Sequence, residues 1–218
     1  MDFVLNIILA MIGGAIRVGT PFLFVSLGEC LTEKSGRINL GLEGVLVFSA
    51  MAAFAGSHWS GSAWFGVLAA CLAGGLWGLL HGLLCAMHRV NDIAMGIGLM
   101  LLGVGVAFYL GKPLIQPQAM QLQGLALGSW SESAQVRSAL NVNPLFPLGV
   151  LLAFAMAWGL GHTRLGLELR MVGDSAEAAR TLGAPVQGLR ILATTLGGVI
   201  AGVGGASLSL YYPGSWNE

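Results

Sequence analysis

The sequence predicts an all-α integral membrane protein, a polytopic helical bundle of about six spans with one short helix in a polar loop, each span taking about 20 helical residues. Three observations predict it. The 218 residues are 56% hydrophobic and 9% charged with a mean hydropathy of +0.79, whereas soluble domains carry about 25% charged residues. Asp, Glu, Lys and Arg are absent from residues 44 to 88, 93 to 111, 138 to 163 and 191 to 217. Between the last two intervals lies a polar insert, 162 to 190, that carries Arg164, Arg170, Arg180 and Arg190.

The first interval is long enough for two spans, divided near Gly56-Ser57-His58-Trp59-Ser60-Gly61, where small polar residues and the interfacial Trp59 and Trp64 mark a turn at the membrane surface. Helices are expected near 3 to 30, with Arg17 and Pro21 interrupting, and near 38 to 56, 63 to 87, 91 to 111, 144 to 161 and 189 to 211. Residues 1 to 16 lack a basic n-region and run on into apolar sequence, so the first segment reads as retained. Placing 31 to 37, 88 to 92 and 162 to 190 in the cytoplasm puts Lys34, Arg37, Arg89 and the four arginines of the insert inside, leaving Lys112 and Arg137 outside in the 112 to 143 loop. That satisfies the positive-inside rule. Arg17 is ambiguous, and the side of the N-terminus stays open.

Punctuation within the insert predicts a helix of about two turns. Asp174 is the expected N-cap, Glu177 follows in capping-box register, Gly183 takes the position just past the end, and Pro185 blocks continuation. So short a helix is marginal alone in water. Ala176, Ala178 and Ala179 offer a small-residue surface for close approach by another subunit. An ordinary capped surface helix is the competing reading.

The 34 glycines include Gly74-x-x-x-Gly78-x-x-x-Gly82 and Gly198-x-x-x-Gly202, which place small residues along helix faces where neighbours approach closely. Gly96-x-Gly98 and Gly202-x-Gly204 sit inside apolar spans without a strand-turn-helix setting, so they read as packing. No Gly-x-x-x-x-Gly-Lys-Ser/Thr occurs. Net charge is zero without a basic run, which points away from nucleic acid. Cys30, Cys71 and Cys85 form no CxxC pair and read as packing residues. His81, Cys85 and His88 share one helical stripe without an accompanying carboxylate or fourth ligand, so packing outweighs a metal site. His58, between Ser57 and Ser60, reads as a turn residue, with no acid nearby in sequence to orient it.

Glu43 follows Gly36, Asn39 and Gly41 and precedes Gly44. Two readings stand level. In one, residues 36 to 44 unwind or re-enter the membrane as part of a translocation path, since irregular backbone at depth is tolerated only against protein or water. In the other, Asn39 caps a helix beginning at Leu40, with Glu43 in its dipole-favoured first turn.

Glu33-Lys34-Ser35-Gly36-Arg37-Ile38-Asn39-Leu40-Gly41-Leu42-Glu43-Gly44 resembles the "ER-x-G-x-x-NLG-x-EG" signature of permease subunits of bacterial ABC importers, in the nucleoside and simple-sugar branch related to branched-chain amino acid permeases. Gly166, Arg170, Gly173, Ala178, Ala179, Gly183, Ala201-Gly202 and Gly205-Ala206 resemble the cytoplasmic coupling loop and following span of the same family. The resemblance covers roughly residues 20 to 212. Lys34 replaces the usual arginine, and the broader motif "EAA-x-x-x-G … I-x-L-P" is matched only in its first half, at Glu177, Ala178, Ala179 and Gly183. Similar permeases continue through further spans past Trp216-Asn217-Glu218, so a chain shortened at its C-terminal side is expected.

The resemblance implies a single transmembrane permease domain over 1 to 218, in the bacterial plasma (inner) membrane, with 162 to 190 as its cytoplasmic coupling loop. It is not itself an enzyme and needs no cofactor. The implied partners are a cytoplasmic ATP-binding subunit, a second permease subunit, an extracytoplasmic solute-binding protein and membrane lipid. Asp174, Glu177, Ala178, Ala179, Arg180 and Gly183 are the implied ATPase-coupling residues, and Asn39, Gly41 and Glu43 the path or gate residues. The solute class is a nucleoside, nucleobase or simple sugar. An ion-coupled secondary transporter is the first competitor and would need an intramembrane ion site, for which Glu43 is nearly the only acidic candidate. An intramembrane enzyme built on His81 and Cys85 is the second.

Overall fold

The computed structural model describes residues 2 to 115, 117 to 129, 136 to 137, 140 to 211 and 216. In chain order its elements are α1 (Asp2–Lys34), α2 (Leu42–Ser60), α3 (Ala63–Cys85), α4 (Asp92–Gly111), a 3-10 turn (Lys112–Leu114), β1 (Leu125–Ala126), β2 (Asn141–Val142), α5 (Leu145–His162), α6 (Arg164–Asp174), α7 (Ala176–Thr181) and α8 (Val186–Leu210). β1 and β2 form a short antiparallel pair with Leu125 opposite Val142. Among the described residues, α1, α3, α4, α5 and α8 are long and apolar enough to cross a membrane. α2 has spanning length, but Glu43 and the terminal Ser57-His58-Trp59-Ser60 dilute its apolar character. It packs against α3, α4 and α8, so its environment is largely protein instead of lipid.

The expected interruption at Arg17 and Pro21 does not occur, because α1 runs unbroken through Pro21. Proline frees a carbonyl one turn earlier, which transmembrane helices tolerate when neighbours and hydroxyl side chains compensate. The carbonyl freed is that of Arg17, and the Thr20 hydroxyl donates to its neighbour, the Ile16 carbonyl, at 2.6 Å. α8 lies alongside, so that a Cβ added at Gly204 would come within 2.8 Å of the Pro21 carbonyl oxygen. The start of α1 therefore emerges at the end of the bundle opposite Lys34.

Two boundaries also differ from expectation. The turn after α2 falls at Gly61, whose φ of +67° is the left-handed conformation that ends a helix. Gly56, expected in that turn, is instead buried inside α2, where an added Cβ would sit 2.8 Å from Ala69 Cβ. α2 begins at Leu42 and not near 38, because residues 37 to 39 are non-helical and 40 to 41 form a turn.

α8 is the hub, packed against α1, α2 and α3. Without a hydrophobic force between helices in lipid, close backbone approach supplies the packing energy. The glycine stripes supply that approach as anticipated. A Cβ on Gly74 would collide with the Gly198 carbonyl oxygen, one on Gly78 with the Thr194 carbonyl oxygen, and one on Gly28 with the Gly197 carbonyl oxygen. The Phe48 and Trp77 rings meet at 4.6 Å between centroids, and the Trp77 indole N–H donates to the Leu99 carbonyl at 3.2 Å.

Gly198→Val is expected to lower the thermal stability of the detergent-solubilised protein by about 1–3 kcal/mol equivalent, the usual cost of overpacking a closed contact. Gly188→Val, at a position whose added Cβ would meet only Pro185 Cβ at 4.0 Å, serves as the control and should unfold close to the parent.

Candidate functional site

The two segments carrying the sequence motifs, 33 to 44 and 162 to 190, are far apart in the chain and meet at one end of the bundle. α1 closes there with the Gly36 N–H donating to the Glu33 carbonyl at 2.8 Å and the Arg37 N–H to the Thr32 carbonyl at 3.3 Å. Gly36 has φ +77° and lies against α6, where an added Cβ would stand 3.1 Å from Gly173 Cα. A Cβ on Gly173 would in turn collide with the Lys34 carbonyl oxygen. Gly173 has no room for a side chain, and at Gly36 one would have to push its neighbours aside.

Beyond Gly36 the chain runs into the bundle before α2 begins. The Asn39 N–H donates to Glu29 Oε1 at 2.9 Å, and Asn39 Oδ1 accepts from the Gly41 N–H at 2.9 Å. A Cβ on Gly41 would stand 2.7 Å from the Gly96 carbonyl oxygen, and Gly44 and Gly103 face each other across α2 and α4. At a rise of 1.5 Å per residue, those contacts put the start of α2 about 6 Å, and its first turn up to about 16 Å, inside the α4 N-terminus. The segment is non-helical and turns back into the helix bundle alongside α4, and Glu43 occupies the first turn of α2. Asn39 makes a local turn onto Gly41 and does not cap the helix, whose own N-cap, Gly41, carries no side-chain cap. Asn39 and Gly41 are buried, and Glu43 is exposed.

The polar insert holds two helices, not one. Thr163 caps α6 by accepting from the Gly166 N–H at 3.1 Å, and α6 buries Gly166, Leu169 and Val172. Asp174 is the last residue of α6 and not the N-cap of the next helix. The last turn of α6 closes through the Ser175 N–H donating to the Met171 carbonyl at 3.0 Å, leaving Ser175 extended at φ −153° to accept from the Ala178 N–H at 3.2 Å. Gly183 does end α7 in the left-handed region at φ +84°. Ala179 is 1% exposed, packed with Leu31, Leu169, Val172, Val186, Leu189 and Ala193, so it anchors α7 to the bundle. Asp174, Glu177, Ala178, Arg180 and Gly183 are exposed. Leu182, which the sequence reading passed over, is 74% exposed beside them.

Also missed were the side chains that join these segments. Arg37, only 7% exposed, ion-pairs through Nη1 with Asp92 Oδ1, and its Nη2 donates to Gln187 Oε1 at 3.4 Å. Arg190 donates from Nε to the Ser35 carbonyl at 3.1 Å and from Nη2 to the Val172 carbonyl at 3.5 Å. On α3, the Cys85 Sγ lies 3.6 Å from His81 Nε2, both buried, and His88 is exposed. Among the described residues no group of three or more His, Cys, Asp or Glu side chains is placed to hold a metal ion. At the opposite end, His58 Nδ1 lies 2.9 Å from the Gln118 carbonyl oxygen and the Ser57 hydroxyl donates to the Met120 carbonyl at 2.6 Å.

Residues 11–217 match the family described as branched-chain amino acid transport system / permease component. The chain belongs to this family. Among curated relatives of this permease, TsgC13 of Haloferax volcanii, an ABC transporter permease protein named for glucose, is 30% identical over 94% of the chain and 64% of its own length. The nucleoside ABC transporter permease protein NupC of Lactococcus lactis is 29% identical over 93% of the chain and 68% of its own length. The guanosine ABC transporter permease protein NupQ of Bacillus subtilis is 27% identical over 94% and 68%. The chain thus spans about two thirds of the length of these relatives. No solved structure matches it. It is a multi-pass protein of the plasma (inner) membrane.

Gly36→Val combines a left-handed backbone with contact against Gly173 and the Arg190 guanidinium. It is expected to cost about 1–3 kcal/mol, read as a lower unfolding temperature of the solubilised protein. Gly61→Val has a left-handed φ as well, but an added Cβ meets nothing within 4 Å, so it should lose distinctly less.

Proposed function

We propose that this chain is the permease subunit of an ATP-driven ABC importer, a single domain over 1 to 218 that forms the translocation path for a small polar solute. The observation that carries the reading is α7. A six-residue helix, Ala176–Thr181, is held to the bundle by one buried alanine and presents Glu177, Arg180 and Leu182 outward at the end that bears most of the cationic charge. An apolar side chain flanked by two opposite charges is what a groove on a cytoplasmic ATP-binding subunit would grip. With no nucleotide loop in the sequence, ATP hydrolysis falls to that separate subunit.

Asp174, Glu177, Ala178, Arg180 and Gly183 form the docking rim in this reading, and Ala179 positions it. The buried Asn39 and Gly41 shape the path, and the exposed Glu43 lines it, because a charge in a span survives facing water or a partner. A second permease subunit completes the path. A solute-binding protein delivers solute at the 112 to 143 side, where a cavity of about 470 Å³ opens between Gly61–Trp64, Met120–Leu125 and Pro144. The relatives' names favour a nucleoside, nucleobase or simple sugar as solute. Sparse polarity along the spans leaves selection to the binding protein.

Purification in mild detergent is expected to recover an ATPase with this chain. Leu182→Asp should weaken that association about ten- to hundredfold, matching the ~1.5–3 kcal/mol of burying a leucine side chain, and Glu177→Arg should weaken it as well. A chain that purifies alone and drives uptake from an ion gradient, indifferent to both changes, would leave the reading without its main support. Sidedness gives an independent check. A single cysteine at Arg180→Cys is expected to react with an impermeant maleimide only from the cytoplasmic face of sealed vesicles, and reaction only from outside contradicts the proposal. Glu43→Gln is expected to slow uptake while the ATPase still copurifies.

A further inference from the structure

Between the exposed α7 and the re-entrant segment 35 to 41, the described residues contain a contact route that is apolar from α7 to α8 and runs through two arginines from α8 to the segment. α7 and the first turns of α8 share one apolar cluster through Ala179, Val186 and Leu189, so they move together. From those first turns, the Arg190 Nε–H reaches the Ser35 carbonyl at 3.1 Å, and the Gln187 amide oxygen receives Arg37 Nη2 at 3.4 Å. Arg37 is itself part of the re-entrant segment, and its other terminal nitrogen is paired with Asp92 at the start of α4. Two residues further on lies Asn39, and beyond it Gly41 and Glu43.

Arg37 is incompletely satisfied. Its Nε is buried without a partner, and its bond to Gln187 is long. A buried guanidinium with an unused donor has the means to exchange partners, and coupling between distant sites requires an element with two arrangements that both sites can bias. The geometry points to the Arg37–Asp92 pair, bridged to α8 by Gln187, as the positioning element that transmits displacement of α7 to the Asn39–Glu43 segment. Arg190 is the hinge-side anchor that keeps Ser35 attached to α8 while Arg37 shifts. The inference rests on the importer reading, since it supplies that reading's missing mechanical link. It assigns roles to Arg37, Asp92 and Gln187, which lie outside both the docking rim and the proposed path residues.

The test uses the assembly with its copurified ATPase, in a background carrying Cys30→Ser and Cys71→Ser. Ile38 is 45% exposed in the re-entrant segment, and Ile38→Cys serves as reporter. Its rate of reaction with a small maleimide is measured without nucleotide and with ATP plus orthovanadate. The nucleotide is expected to change that rate about tenfold in the parent, within the usual span of a coupling free energy. Arg37→Gln and Asp92→Asn should abolish the response while the ATPase still copurifies, and the exchange Arg37→Asp with Asp92→Arg should restore much of it. If Arg37→Gln fails to assemble, Gln187→Leu, at an exposed position, removes only the bridge to α8 and should weaken the response. A full response in both Arg37→Gln and Gln187→Leu overturns the inference and leaves the importer reading intact. So does a parent whose ATPase hydrolyses ATP with no change at Ile38→Cys. Absence of any copurifying ATPase overturns the importer reading and this inference with it.

Discussion

Seven residues of backbone, 35 to 41, connect α1 to α2 without joining either helix, and they do so inside the bundle, beside the first turns of α4. Hydrocarbon offers no water to unpaired N–H and C=O groups, so such a stretch persists only where protein atoms supply the partners. The first residues pair with backbone carbonyls at the end of α1, and the rest depend on specific side chains. Glu29 accepts from Asn39, Asn39 accepts from Gly41, and Arg190 donates to Ser35. Arg37, buried with the segment, has its charge answered by Asp92. Leaving one buried polar group without its partner costs about 1–3 kcal/mol. The positions of the α1 terminus, the α4 N-terminus and the α8 N-terminus are therefore fixed together by the requirements of one short connection.

Those positions are reachable because the helices carrying them can come close. α8 contacts α1 at Gly28 and Gly197, α3 at Gly74 and Gly198, and α2 at Gly205, where an added Cβ would stand 2.7 Å from the Leu46 carbonyl oxygen. Van der Waals contact at backbone distance is the packing energy available in lipid. Interfaces of this kind have little room to deform, so α1, α3 and α8 behave as one body. Displacement at the N-terminus of α8 is then taken up by irregular backbone, and 35 to 41 is the irregular stretch attached to it.

Much of the fold was legible from charge alone, because a membrane exacts a cost for each buried charge and the intervals without charge mark the spans. The errors fall where one residue type serves two local structures. Asn39 was read as a possible helix cap and instead makes a turn onto Gly41, and both use the same side-chain oxygen on a nearby N–H. Asp174 and Ser175 are both good caps, and the choice fell to Ser175 because an unanticipated helix ends at Asp174. That helix, α6, did have a signal, in Thr163 followed by Gly166, Leu169 and Val172 at intervals of three, but its arginines gave the stretch the look of a loop. The Arg37–Asp92 and Arg190–Ser35 contacts span 55 and 155 positions. No local pattern encodes such pairs, which appear only once the topology has brought the two motif segments to one end.

The distribution of carboxylates bears on how energy would enter. An ion-coupled carrier needs an acidic site within the membrane, arranged so that an ion can bind and leave. Among the described residues, the acidic side chains set inward from the charges at the end of the bundle that carries Lys34 and Asp92 are Glu29 and Glu43. Glu29 gives one oxygen to the Asn39 N–H, holding the segment in place, while its other oxygen is buried without a partner. Glu43 stands in the first turn of α2, where the helix dipole already favours its charge. Among the described residues neither joins a group of three or more His, Cys, Asp or Glu side chains that could hold a metal ion. The acidic groups at depth thus serve the backbone conformation of 35 to 44 more than an ion. The feature with no such internal use is Leu182 beside Glu177 and Arg180, which the bundle leaves open to solvent and which nothing in the chain covers among the described residues. An energy source acting from outside the membrane, through that surface and then through Arg37, fits this arrangement better than an ion passing through it.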